Sequence, residues 1–96
     1  MPSLTEFAAL TRTTSVEVDG IAVELTYRPH VLTTAFLLGM YERSMEELIG
    51  EVVTGWNLTG EDGAVIPLTA EGLGPVPAPL LHGLWRGIER AAVRGN

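Results

Sequence analysis

An α+β domain is the fold class this sequence predicts, and three local patterns predict it. Apolar and polar residues alternate on both sides of an Asp-Gly pair, from Val16 to Leu25. Ser44 stands three residues before Glu47 at the head of an apolar-periodic run, the spacing of a capping box. Leu80, Leu81, Leu84, Trp85 and Ile88 form a stripe at i, i+1, i+4, i+5, i+8, one face of a helix. These give an N-terminal β-hairpin, two central helices, a short second hairpin and a C-terminal amphipathic helix. Residues 1–13 are expected to form an N-terminal arm, and residues 14–94 a single domain.

The arm has no clear periodicity, although Leu4, Phe7, Ala8 and Leu10 suit a short amphipathic turn that packs only on a partner. In the hairpin, a two-residue type I′ turn needs positive φ at both central positions, which Asp19-Gly20 adopts at little cost. That register sets Val18 opposite Ile21 and Val16 opposite Val23. Val16, Val18, Ile21, Val23, Leu25 and Tyr27 then share one face, with Glu17 and Glu24 on the other. Arg28-Pro29 ends the second strand, because a residue before proline is pushed away from helical angles. Thr33 is the expected N-cap of a helix reaching about residue 42, weakened at Gly39. The helix opened by Ser44 carries Met45, Leu48, Ile49, Val52 and Val53 and is expected to stop at Gly55.

Two short extended pieces, 56–59 and 64–68, flank Gly60-Glu61-Asp62-Gly63, with Pro67 at an edge or exit. Thr69 can cap one turn over 70–73. Pro75, Pro77 and Pro79 make a rigid connector, and Pro79 suits the first turn of a helix over 78–94. Gly83 and Gly87 lie four apart in it, so either another backbone packs close there or the helix is marginal alone. The expected core is Val16, Val18, Ile21, Val23, Leu25, Phe36, Leu37, Leu48, Ile49, Val52, Trp56, Leu81, Leu84 and Ile88.

The chain has 96 residues, enough for one small domain that buries roughly 60–65% of its unfolded surface. At 46% apolar and 19% charged it is too hydrophobic for a disordered segment. No apolar run approaches the ~20 residues of a membrane span, and the N-terminus lacks the basic region of a secretory signal. There is no cysteine, hence no disulfide, thiolate metal site or cysteine nucleophile. A cytosolic location is expected. The net charge of −6 argues against sequence-independent nucleic-acid binding, which needs clustered cations. All six basic residues are arginine, and Arg86, Arg90 and Arg94 lie within the last eleven residues.

No pattern points to catalysis or to a cofactor. His30 and His82 have no ligand or triad spacing beside them and read as surface residues. Glu46, Glu47 and Glu51 alternate with an apolar stripe and read as a solvated face. Glu61-Asp62 lacks the oxygen ligands of an EF-hand loop, and no lysine is present for a P-loop. Trp56 and Trp85 have no interleaved basic residues, so they are expected as core or interface anchors. What remains is apolar surface. Leu80, Leu84, Trp85 and Ile88, with Arg86 and Arg90 beside them, are the candidate partner-binding residues, being of types that dominate interfaces. The same stripe equally suits closing the core over the hairpin, and the two roles are compatible.

Residues 53–73, VTGWNLTGEDGAVIPLTAEGL, resemble a segment of the small tail assembly chaperones of long-tailed bacteriophages. The likeness rests on Trp56-Asn57-Leu58, Glu61-Asp62-Gly63, Ile66-Pro67-Leu68-Thr69, Glu71 and Leu73. It extends to the Val18-Asp19-Gly20 turn, to Tyr27-Arg28-Pro29, and to a proline linker before a terminal amphipathic helix, over roughly residues 12–92. Gly72 and Gly74 depart from the more helical filler of that pattern. The resemblance implies a short-form chaperone that coats the tape-measure protein and keeps it soluble in the host cytoplasm, self-associates, and is absent from the mature virion. It also implies a frameshifted longer form that recruits tail-tube subunits. The alternative expectation is a structural tail-completion or connector component of a phage or phage-like particle.

Overall fold

The computed structural model describes residues 3–93 and has the predicted α+β class: a three-stranded antiparallel sheet with five α-helices. Strands β1 (Arg12–Val18) and β2 (Ile21–Tyr27) form the hairpin, with Val16 opposite Val23 and Val18 opposite Ile21 as the alternation requires. Asp19 and Gly20 take φ of 52° and 82°, the turn that Asp-Gly favours. On the outer face the hydroxyls of Thr13 and Thr26 lie 2.9 Å apart.

The arm is shorter than expected, since β1 begins at Arg12. Within it α1 (Leu4–Ala8) is capped by the Ser3 hydroxyl and buries none of its residues. After a 3-10 turn over Pro29–Val31 comes α2 (Thr34–Gly39), capped by the Thr33 hydroxyl at 3.0 Å from the Phe36 amide. Beyond Gly39 the chain tightens into a 3-10 turn, Met40–Glu42, rather than continuing as one helix to 42. Helix α3 (Met45–Val52) starts at Ser44, whose hydroxyl accepts the Glu47 amide at 3.2 Å.

The largest departure follows α3. The helix ends at Val52, not at Gly55, and β3 (Val53–Trp56) joins the free edge of β2. Val53 and Trp56 are three apart, so a regular strand would send them to opposite faces. The register slips between Thr26 and Tyr27, setting Leu25 opposite Trp56 and Tyr27 opposite Val53, and both reach the core. β-branched Val53 suits the extended conformation after this junction. The expected second hairpin shrinks to one bridge between Thr59 and Val65. Helix α4 (Ala70–Leu73) is capped by Thr69, and α5 (Ala78–Val93) closes the fold; Arg94 lies outside the described residues.

Helix α5 lies on β1 and α3 packs against α5, so the core sits between the inner sheet face and these two helices. It includes Tyr27, Val53, Leu73, Val76, Trp85 and Ala91 beyond the expected set. Ile21 is a correction: at the hairpin tip on β2, while α5 packs chiefly on β1, it is 58% exposed. Val18, Phe36 and Leu37 are only half-buried; the last two belong to a helix of six residues at the margin of the core. At Gly83 and Gly87 strand β1 packs close against the helix. A Cβ on either would fall under 3.0 Å from side-chain carbons of Val18 and Val16 respectively, so the glycines admit strand side chains into the helix surface.

Candidate protein-binding surface

The six candidate residues on α5 divide sharply. Leu84, Trp85 and Ile88 are buried, as is Leu81, and are consumed by the fold itself. They pack between the sheet and α3, so in this fold they belong to the core. Trp85 also meets Phe36, ring centroids 6.2 Å apart, and the Arg43 guanidinium lies over the other aromatic at 5.3 Å from the Phe36 centroid. Arg86 and Arg90 are exposed and make no ion pair among the described residues. Leu80 is half-buried and faces a different feature.

That feature is an open groove of about 900 Å³. One wall is the turn through residues 58–66. The Gly60 amide donates to Ala64 O at 2.9 Å, Gly63 to Gly60 O at 3.0 Å, and Ile66 to Leu58 O at 2.9 Å. Asp62 Oδ1 accepts the Ala64 amide at 3.1 Å, and the Trp56 indole N–H donates to Ile66 O at 2.8 Å, tying the turn to the sheet. The other wall is the proline connector, Pro75, Val76 and Pro77, running into Leu80. Gly72 forms part of the lining, and a Cβ there would collide with the carbonyl of Pro67; this accounts for glycine in a helical turn. Leu58, Val65, Ile66, Pro67 and Leu80 supply the apolar lining, with Val65 56% exposed. Glu61, Asp62 and Glu71 are the charged residues of the lining, and none of its residues is basic.

Smaller apolar surfaces lie elsewhere. Leu38 is 78% exposed, and Tyr41, 87% exposed, lines a cleft of about 420 Å³ between the Met40–Glu42 turn, α3 and α5. Leu4, Phe7 and Leu10 are exposed on and after α1.

The carboxylates of α3 form an ion-pair cluster. Arg43 reaches Glu47 at 3.3 Å and Glu51 at 2.5 Å, and these hydrogen bonds, that to Glu51 foremost, raise its pKa above the ordinary arginine value. The Arg28 guanidinium donates to the carbonyl of Glu51. His82 is exposed on α5 and His30 lies in the 3-10 turn before α2, so the fold puts them on different elements. Among the described residues no three His, Cys, Asp or Glu side chains gather as metal ligands, and no helix is long and apolar enough to cross a membrane.

Sequence reasoning missed most of the groove. Its residues follow no helical or strand period. The available signal was the bracketing of Val65 and Ile66 by turn residues and Pro67, which leaves apolar side chains on backbone outside helix and sheet. Comparison of the chain with protein-family models, with curated proteins and with solved structures returns no match.

Proposed function

We propose that this protein is a tail assembly chaperone of a long-tailed bacteriophage, one that binds and solubilises the tape-measure protein. One observation carries the reading. The segment with the sequence resemblance, residues 53–73, together with the connector and Leu80, builds the open apolar groove. A tape-measure chain presents long apolar helical surface that aggregates in water, and a groove lined by apolar side chains covers such surface in pieces. Many copies along one filament gain avidity without any single strong site. The acidic body keeps the coated complex from clumping.

In this account the protein works in the host cytoplasm, leaves before the virion matures, and performs no catalysis. Mass spectrometry of purified particles, paired with deletion of the gene, tests the assignment. The reading predicts loss of tails on deletion and absence of the protein from finished particles. Stoichiometric retention in the particle would favour a tail-completion or connector component instead.

A further inference from the structure

We propose that the groove between residues 58–66 and 75–80 receives an amphipathic helical segment whose apolar face is flanked by basic residues. The inference rests on the chaperone reading for the identity of the partner and specifies which of the partner's segments are bound.

Backbone chemistry argues for a helix rather than an added strand. Strand addition needs free main-chain donors and acceptors along one edge. Here Pro67, Pro75 and Pro77 have no N–H, and the amides of Gly60, Gly63, Ala64, Ile66 and Val76 already donate within the chain. What the walls offer is side chain: Leu58, Val65, Ile66 and Leu80. Recognition must therefore run through apolar side chains entering from outside, as the i, i+3/i+4, i+7 positions of a helix supply them. The volume lies at the upper end of the roughly 300–1,000 Å³ of small-molecule sites, and the groove carries no convergent set of polar groups to orient such a ligand. The prolines hold one wall in a fixed shape, which reduces the ordering cost of binding.

The rim sets the charge of the occupant. Glu61, Asp62 and Glu71 line the groove beside its apolar residues. Glu61 and Glu71 make no ion pair among the described residues, and the nearby basic residues of α5 do not line the groove. An acidic partner would meet three like charges, whereas lysines or arginines beside the apolar face would be attracted to them. Such rim charges act mainly on encounter rate and selectivity, and they weaken as salt is added.

The test uses the full chain and three labelled synthetic peptides of about 18 residues, five helical turns. One is an amphipathic Leu/Lys helix, one the matching Leu/Glu helix, and one a Leu/Lys scramble without an apolar face. Fluorescence anisotropy at low salt should show the Leu/Lys helix binding at least about tenfold more tightly than the Leu/Glu helix, an advantage that salt erodes. The E61K/E71K double variant should invert that preference; Asp62 is left intact because it holds the turn. Val65→Asp should abolish binding of both helices, and Val65→Ser, a milder change at an exposed site, should weaken it, with unchanged thermal melting for each.

Equal binding of the scramble would overturn the groove, and indifference to E61K/E71K would overturn the rim. Self-association of the wild type that E61K/E71K dissolves would show a second copy to be the occupant and would overturn the proposal. Tape-measure solubility separates the two readings. If the wild type and Val65→Asp keep it soluble equally well, the chaperone role survives and the groove assignment fails. If the peptides bind as described while the wild type leaves the tape measure insoluble, the groove stands and the chaperone role fails.

Discussion

Gly87 of α5 and the side chain of Val16 on β1 occupy one packing position, with the valine methyls where a helical Cβ would otherwise stand. Gly83 does the same for Val18 one turn earlier. The helix gives up intrinsic stability at two positions so that its axis can approach the strand.

Gly87→Ala should therefore destabilise the protein. Helix propensity alone would favour alanine by about 1 kcal/mol, but overpacking against Val16 costs about 1–3 kcal/mol and should win. In a Val16→Ala background the two methyl clashes go and only the residue-16 Cβ, 3.0 Å away, stays close, so the penalty of Gly87→Ala should shrink. Chemical denaturation of the four members of this double-mutant cycle checks the coupling.

The division of α5 into a buried stripe and an exposed basic face gives a second test. Leu84→Ala should cost about 2–5 kcal/mol and Trp85→Ala about 3–5 kcal/mol, because both side chains are buried. Arg86→Ala and Arg90→Ala should stay within about 0.5 kcal/mol of wild type. An unchanged melting temperature for Leu84→Ala would return that residue to the surface.

Ser44 caps α3 through the Glu47 amide. Ser44→Ala should lower stability by about 1 kcal/mol and Ser44→Gly by only a few tenths, measured by urea unfolding.

Trp56→Phe removes the indole bond to Ile66 O while keeping an aromatic ring in the core. The expected cost is about 0.5–1.5 kcal/mol. Hydrogen exchange should quicken at the Gly60 and Ile66 amides, which close the turn, and stay unchanged in α5.

Local chemistry made much of this fold legible. Asp19-Gly20, Thr33, Ser44 and Thr69 each specify their own few residues, and the structure places turns and caps there. Features fixed by distant partners were not legible. Val53 continues the apolar spacing of α3, yet an open edge on β2 draws it into a strand, and a register slip then turns it inward. Ile21 alternates as a core residue should, but it stands at the hairpin tip on β2, whereas α5 packs chiefly on β1. The candidate stripe on α5 was found correctly as apolar, and its burial followed from the sheet it meets. Leu80 reaches the groove, while Leu58 and Val65 carry no periodic signal at all.

Co-expression with a phage tape-measure protein tests the central claim most directly. The account predicts that the tape measure becomes soluble and co-elutes with many copies of this chain in a pull-down. An insoluble tape measure, with this chain eluting alone, would contradict it.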